Sequence, residues 1–343
     1  MKRLLNTLYV TTQNSWLIQD GQNVVIRVDH ENKMRVPIHT LNNIVCFGLV
    51  SCTPQVMALC AENNVLISFL SEHGKFYARV HGKTHGNVLL RREQYRCADC
   101  ETIAADIAGR FISAKIMNCR TVLMRARRDH PEQCNNDAMN LVIHQLERIS
   151  RQMEGIAILD EIRGKEGEAS RLYFSVFDHL IITQKDAFKF IQRSRRPPLD
   201  AINALLSFVY TMLANEVVSA LESIGLDPAV GFLHRDRSGR PSLALDIMEE
   251  LRPVVADRLV LSLVNRNQLQ GKQFKTTESG AVVMSDDARK ELIIAWQKRK
   301  QEEIIHPYLN EKIPLGMIPY VQALLMSRYL RGDLDAYPPY IQK

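Results

Sequence analysis

The sequence lacks the features that mark secreted, membrane-spanning or nucleotide-hydrolysing proteins. Its first residues contain no long apolar segment, and we expect no signal peptide. No uninterrupted apolar run approaches the roughly 20 residues that a membrane span needs. Neither a GxxxxGK[ST] phosphate loop nor a GxGxxG turn after a strand is present, and there is no Gly-x-Ser-x-Gly elbow. We therefore expect a soluble cytoplasmic protein and disfavour an ATPase or a serine hydrolase.

Cysteine is sparse and confined to the first part of the chain. The seven cysteines are Cys46, Cys52, Cys60, Cys97, Cys100, Cys119 and Cys134. This odd number argues against a disulfide framework and for a reducing compartment. Cys97 and Cys100 have the spacing of half a zinc site, but no second half follows, and we favour two buried thiols on a helix.

The composition is that of a globular protein with a mild positive charge. The 343 residues are 46% hydrophobic and 24% charged, which is enough apolar material for a substantial core. A formal net charge of +6 is compatible with a polyanionic partner, although this is weak evidence by itself.

The first residues read as short strands separated by turns. Asp20-Gly21 is a dipeptide favoured in tight hairpins, and Thr53 is placed to cap a helix that starts at Pro54. This pattern predicts a small β-sandwich-like domain over residues 1–84.

The pattern becomes helical after the glycine- and histidine-containing residues 81–86. We predict helices at 91–128, 136–153, 156–162, 172–184, 199–224, 242–252, 254–264, 286–305 and 318–331. The predicted fold is therefore α+β, with a small N-terminal β-domain followed by a larger, mainly α-helical domain over residues 85–343.

The stretch 225–253 combines a loop histidine with two carboxylates on a helix. His234 lies between turn residues, Ser242 offers an N-cap, and Asp246 and Glu249 are three residues apart on one side of the helix that Pro253 ends or kinks. Oxygen-rich ligation with one imidazole would favour Mn²⁺ or Mg²⁺ over structural zinc. A solvated acidic face beside a surface histidine remains the alternative.

A second candidate is Glu166, which lies between Gly164 and Gly167. We expect the glycines to place it at a helix start, where the exposed N–H groups favour a carboxylate. An ordinary surface charge is the alternative, and Glu168 competes for any role given to Glu166.

Three basic clusters occur in the helical part of the chain. They are residues 185–196, which are interleaved with Phe188 and Phe190, then Arg125 to Arg128, and Lys298 to Lys300. Each alone reads as a solvated face, but three together favour contacts with a phosphate backbone.

Several of these residues resemble the motifs of one known family. The matching residues are Glu166-Gly167 with Ala169, Arg171 and Tyr173; Arg196-Pro197-Pro198 with Asp200, Asn203 and Tyr210; Gly225-Leu226-Asp227-Pro228; Gly231, Phe232 and His234; and Leu245-Asp246, Glu249 and Arg252-Pro253. Together they resemble the CRISPR-associated spacer-acquisition integrase, the metal-dependent DNA endonuclease of the adaptation pair. The form is similar to that of type I systems, and subtype I-C is the best match.

The resemblance implies a fold, partners and a reaction. It implies an N-terminal β-domain that helps to form a homodimer, a helical catalytic domain, and a small ferredoxin-like partner protein. The substrate would be a short double-stranded DNA fragment of foreign origin. Its 3′-OH ends would attack phosphodiesters of a CRISPR array, which is spacer acquisition in antiviral defence.

The resemblance also assigns roles to the candidate site residues. Glu166, His234 and Glu249 match the ligands of the family's Mn²⁺ or Mg²⁺, and Asp246 matches a further acidic position, which we expect to act in support. Many members have Asp where this chain has Glu249. Two other functions remain open: a non-catalytic DNA-binding assembly protein and a general DNA-repair nuclease with the same metal site.

Overall fold

The computed structural model describes residues 7–41, 43–72, 76–80, 82, 88–134 and 136–342. These residues fall into two compact units, one drawn from Met1–Gly86, Gln297–Glu302 and Pro314–Met317, the other from Asn87–Trp296, Glu303–Ile313 and Ile318–Lys343. The boundary that the sequence predicts, between residues 84 and 85, lies outside the described residues. The assignment of residues 1–84 and 85–343 to two domains stays a prediction.

The N-terminal residues form two four-stranded sheets around one core. One sheet has the order β1 (Thr7–Val10), β5 (Asn43–Phe47), β7 (Leu66–Leu70), β8 (Phe76–Val80), and the other has the order β4 (Glu31–Pro37), β3 (Asn23–Val28), β2 (Ser15–Asp20), β6 (Val50–Cys52). Leu17, Ile44 and Ile67 from the two sheets share a buried cluster with Val56 and Leu59 of helix α1 (Pro54–Glu62). This arrangement confirms the predicted β-domain.

Local signals fix two of these elements. Gly21, at a φ of 57°, and Gln22 turn the chain between β2 and β3, and Asp20 is the last residue of β2, paired with Asn23. The side chain of Thr53 accepts a hydrogen bond from the backbone N–H of Val56 and begins α1, as its sequence predicts.

The second unit is mainly helical, as expected. Its helices, with α10 continuing into the first unit, are α2 (Val88–Asp99), α3 (Glu101–Asp129), α4 (Pro131–Cys134), α5 (Asp137–Gln152), α6 (Leu159–Ser175), α7 (Ala201–Ile224), α8 (Ser242–Leu251), α9 (Arg258–Asn265), α10 (Asp286–Lys300) and α11 (Ile318–Leu330). Two small hairpins pair β9 (Phe274–Thr276) with β10 (Val282–Met284) and β11 (Glu303–Ile305) with β12 (Lys312–Pro314).

Helix α6 differs most from the prediction. Glu166 lies in the middle of α6 and not at a helix start, and the helix predicted over 172–184 is wrong because α6 ends at Ser175. Gly164 and Gly167 do not interrupt it, because tertiary packing of buried residues such as Tyr173 outweighs the roughly 1 kcal/mol helix cost of a glycine.

Two further boundaries differ from the prediction. The helix predicted over 91–128 is two helices, which break at Cys100, where the backbone is extended. Cys97 is buried, but Cys100 at this break is partly exposed. The helix predicted over 286–305 ends at Lys300, because residues 303–305 pair as β11.

Helix α7 is long and apolar enough to cross a membrane by length and composition alone. Its residues Leu205, Leu206 and Val209 are nevertheless fully buried within the protein, against neighbours that include α8 and α11. Asp200 caps its first turn by accepting a 2.7 Å hydrogen bond from the N–H of Asn203, and Gly225 ends it in a left-handed conformation. This is the burial of a core helix.

The helix after the loop histidine continues past the proline. Pro253 lies in a π-helical turn (Arg252–Asp257) that joins α8 to α9, where the wider spacing of hydrogen bonds accommodates a residue without an N–H. Ser242 is the first residue of α8 and not its N-cap; that position belongs to Pro241, which makes no side-chain cap bond.

The C-terminal segment is fastened to α3 and α8 by buried hydrogen bonds. Asn118 Nδ2 donates to the carbonyl oxygens of Glu250, at 2.7 Å, and of Tyr340, at 2.8 Å. Its Oδ1 accepts from the backbone N–H of Gln342, and the Glu250 carboxylate accepts from the Tyr337 hydroxyl and the Tyr340 N–H. These contacts hold α8 in place from the side that carries Glu250.

We expect Asn118→Ala to destabilise the protein by roughly 2–4 kcal/mol, because it leaves buried backbone groups of Glu250, Tyr340 and Gln342 without their partner. Urea denaturation would measure the loss. As a control, Gln152→Ala removes an exposed side chain whose one hydrogen bond within the described residues is accepted from Lys165, and its effect should stay within about 0.5 kcal/mol. Equal stability of the two variants would contradict this role of Asn118.

Candidate active site

The loop before α8 folds around the carboxylate of Asp246. This side chain is fully buried and accepts hydrogen bonds from the backbone N–H groups of Phe232 at 2.6 Å, Leu233 at 3.0 Å and His234 at 3.1 Å. Its Oδ1 also lies 2.6 Å from His234 Nδ1. A carboxylate in this position favours the proton on Nδ1 and leaves the lone pair on Nε2. His234 Nε2 faces Glu249, 3.9 Å from its Oε1.

Glycine is required where this loop meets α8. A Cβ on Gly231 would lie 2.7 Å from Asp246 Oδ2 and 2.7 Å from the carbonyl carbon of Ser242. Backbone atoms and the buried Asp246 carboxylate leave no room for a methyl group at position 231. This close packing explains why the Gly231-Phe232-x-His234 pattern begins with glycine.

A buried lysine joins the two glutamates of the site. Lys115, on α3, forms an ion pair with Glu166 Oε1 on α6, and its Nζ lies 2.7 Å from Glu249 Oε2 on α8. Only 8% of the Lys115 side chain is exposed. Burial acts to lower the pKa of Lys115, but Glu249 and Glu166 outweigh it, and the pKa lies above its ordinary value. Ser170 also donates to Glu166 Oε1, at 2.8 Å.

Glu249 is held ionised by two cations. Burial raises the pKa of Glu249, but Arg252 and Lys115 more than offset it and lower the pKa to about 2. Arg252 Nη1 donates to Oε1 at 2.5 Å, and its guanidinium lies 5.1 Å from the centre of the Tyr210 ring. Oε2 has the ion-pair contact with Lys115, but it accepts no well-aligned hydrogen bond from any described residue.

The three predicted metal ligands line one cavity of about 240 Å³. Its walls contain Glu166, His234 and Glu249, together with Leu233 and a rim of four arginines: Arg163, Arg235, Arg237 and Arg240. Asp246 is not part of this wall and lies against His234 Nδ1; its supporting role stays a prediction. Glu168, the competitor of Glu166, is not part of this wall and pairs with Lys165 at 3.1 Å.

The side chains do not form a closed coordination shell in this conformation. Within the described ranges, no three His, Cys, Asp or Glu side chains are gathered closely enough to hold a metal ion as they stand. The donor set nevertheless fits a hard divalent cation, since it offers two carboxylates and one imidazole nitrogen. The ammonium of Lys115 already places a positive charge between the two carboxylates. Metal binding by these residues stays a prediction.

Sequence patterns missed Lys115 and the arginine rim. Lys115 shares the buried face of α3 with Ile112, Ile116 and Cys119, and a lysine at an apolar position of a helix is the signal that could have revealed it. The basic cluster 185–196 is partly structural, because Phe188 and Phe190 are buried and Arg193 binds Asn203 and Ser207.

Comparison with known proteins identifies similar chains. Residues 8–298 match the family model described as CRISPR associated protein Cas1. A protein of Chlorobaculum tepidum named CRISPR-associated endonuclease Cas1 1 is 52% identical over 341 residues, which cover 99% of each chain.

Two solved structures show the same fold at lower identity. A chain of a Cas6-RT-Cas1–Cas2 complex has a TM-score of 0.83 at 21% identity and covers 100% of this chain and 37% of that one. A casposase bound to integration product has a TM-score of 0.82 at 21% identity and covers 98% of this chain and 94% of that one.

We expect Gly231→Ala to destabilise the protein by about 1–3 kcal/mol and to displace the Asp246–His234 pair, because the added methyl group meets backbone atoms of α8. Thermal unfolding would measure the first effect and the NMR shift of His234 Nδ1 the second. In the control Gly164→Ala on α6, the Cβ meets nothing within 4 Å; it should be neutral or stabilising by up to about 1 kcal/mol. An unchanged His234 signal in Gly231→Ala would contradict the expected crowding.

Proposed function

The chain belongs to the Cas1 family of CRISPR-associated proteins, and on that basis we propose that it is a metal-dependent DNA endonuclease and integrase. It inserts short fragments of foreign DNA into a CRISPR array by attack of their 3′-OH ends on phosphodiesters. The observation that carries the proposal is the cavity in which Glu166, His234 and Glu249 meet below a rim of arginines. The name of the relative that is 52% identical supports the endonuclease activity, and the bound product of the casposase supports the integrase activity.

Each acidic and imidazole side chain has a part in this proposal. Glu166, His234 and Glu249 hold Mn²⁺ or Mg²⁺, which when bound polarises the phosphodiester and activates the attacking hydroxyl. Asp246 keeps the proton on His234 Nδ1, so that Nε2 is the atom that faces the cavity. Arg252 keeps Glu249 ionised from the side opposite Lys115.

The arginine rim binds the DNA backbone in this proposal. Arg237 is exposed and Arg240 is half-buried, and the side chain of neither forms an ion pair or hydrogen bond with a described residue. Arg163 and Arg235, in contrast, both bind Asp160. Free guanidinium groups beside a phosphoryl-transfer site neutralise phosphates and orient the strand. Strand transfer exchanges one phosphodiester for another, which is consistent with a sequence without an ATP-binding loop.

The proposed assembly follows the family resemblance. The protein acts in the cytoplasm as a homodimer, with residues 1–84 contributing to the dimer and residues 85–343 to catalysis. Its substrate is double-stranded DNA, and its partner is a small ferredoxin-like adaptation protein. One chain of the Cas6-RT-Cas1–Cas2 complex shares the fold of this protein, and that complex is consistent with such a partner. The type I form, subtype I-C, belongs to the same proposal.

We expect Glu166→Gln, His234→Ala and Glu249→Gln each to lower metal-dependent strand transfer by about 100-fold or more, because each removes a proposed ligand. A half-site integration assay with the small partner, a supercoiled array plasmid and Mn²⁺ or Mg²⁺ would measure this, and a chelator should abolish the wild-type reaction. Glu168→Gln is the matched control and should retain activity.

Full activity in any of the three variants would exclude that residue from the site. Salt-dependent DNA binding without any metal-dependent turnover of the wild-type protein would instead support a non-catalytic assembly protein. Activity on DNA without dependence on a CRISPR repeat would support a repair nuclease.

We expect Arg237→Ala and Arg240→Ala to weaken duplex binding and to reduce the slope of log K against log salt by about 0.9 for each phosphate that the variant no longer neutralises. Fluorescence anisotropy over a salt series would measure both effects. Arg151→Ala is the control, because Arg151 is exposed and pairs with Glu147 away from the cavity. A salt slope that stays at the wild-type value in both rim variants would show that the rim does not bind phosphates.

A further inference from the structure

Lys115 is the one lysine whose ammonium contacts both proposed acidic ligands among the described residues. It reaches from α3 to Glu166 on α6 and to Glu249 on α8, and so it bridges the two helices that carry them. Its side chain is 8% exposed and that of Glu249 is 3% exposed, so water contributes little to screening these charges. The ammonium therefore lies where the two carboxylates would share a bound cation.

Two carboxylates and two cations form a charge cluster at this site, which distinguishes it from an ordinary surface ion pair. Glu166 and Glu249 contribute two negative charges, and Lys115 and Arg252 contribute two positive charges. These four charges cancel without a divalent cation. The buried Asp246 carboxylate, 2.6 Å from His234 Nδ1, adds one further negative charge. A divalent cation added to all five groups would therefore leave one uncompensated positive charge in a partly buried site, which is unfavourable.

Of the two cations, Lys115 is the one that can move away from the carboxylates. Arg252 is fixed by its bond to Glu249 Oε1 and by its contact with the Tyr210 ring. Lys115 has a flexible four-carbon stem and no other hydrogen-bond partner than Glu166 within the described part of the chain. Its 2.7 Å contact with Glu249 Oε2 is an ion pair without a well-aligned hydrogen bond. The ammonium can therefore leave without breaking a directed bond to that oxygen, provided that the entering cation replaces its charge.

We propose that Lys115 is an internal counter-ion of the metal site: it holds Glu166 and Glu249 together in the metal-free protein and gives up their oxygens when the divalent cation enters. This inference rests on the proposed function, because it takes Glu166 and Glu249 as ligands. It explains why the predicted ligands share one cavity without forming a closed coordination shell. Lys115 is a positioning residue in this account, and it competes with the metal for the same oxygens.

A purely structural ion pair makes the opposite prediction for metal binding. If Lys115 only kept the carboxylates in place, its removal would lower both the stability of the metal-free protein and the affinity for metal. A competing counter-ion raises the stability of the metal-free protein but weakens metal binding while it is present. Its removal therefore moves the two quantities in opposite directions.

The test compares Lys115→Met with the wild-type protein. Thermal unfolding in EDTA measures the metal-free state, and electron paramagnetic resonance of free Mn²⁺ measures the affinity without reference to activity. We expect Lys115→Met to unfold at a lower temperature in EDTA, to bind Mn²⁺ about tenfold more tightly or better, and to gain more in melting temperature from Mn²⁺ than the wild type. Lys165→Met, which removes a partly exposed lysine of α6 paired with Glu168 outside the cavity wall, should change neither quantity.

Weaker or unchanged Mn²⁺ binding by Lys115→Met would overturn the inference. A wild-type protein that binds no Mn²⁺ would instead overturn the proposed function, so the two failures are distinguishable. If Lys115→Met does not fold in EDTA, Lys115→Gln keeps the inference testable, because it removes the charge but retains a polar side chain that can still donate to Glu166. Tighter Mn²⁺ binding by this variant would support the counter-ion role, and weaker or unchanged binding would overturn it.

Discussion

Buried charges in the candidate active site must neutralise one another, because water is largely excluded there. Glu249 is neutralised by Arg252 at one oxygen and by Lys115 at the other. Lys115 also forms an ion pair with Glu166. The helices α3, α6 and α8 are thereby joined at one point. Behind this point, the Asp246 carboxylate orders the loop that carries His234, and the Asn118 and Glu250 contacts fasten α8 to the C-terminal segment.

Much of the fold could be predicted from local signals in the sequence. The Asp20-Gly21 hairpin, the Thr53 cap and the apolar run of α7 each depend on residues close in the chain, and each formed as expected. The predictions that failed concern helix boundaries that tertiary packing determines. The glycines around Glu166 read as a helix start, but packing of α6 carries the helix through them. The break at Cys100 could not be predicted, because no proline or glycine lies near it in the sequence.

The candidate site could be predicted in part. Glu166 and His234 are 68 positions apart in the sequence, and spacing alone could not bring them together; the family motifs did, and the structure places them on one cavity with Glu249. The proposed role of Lys115 could not be predicted from the sequence, because Lys115 belongs to no such motif and lies on a helix whose apolar pattern indicates a core helix. The arginine rim was likewise hidden, since Arg163 comes from α6 and the other three from the loop before α8.

We propose that Glu166, His234 and Glu249 share one divalent cation. Anomalous X-ray scattering from crystals grown with Mn²⁺ would show whether they do. We expect a single strong manganese peak in the cavity between these three side chains, with the Lys115 ammonium withdrawn from at least one carboxylate. A manganese peak elsewhere on the chain, or none in the cavity at saturating Mn²⁺, would show that these residues do not form the metal site.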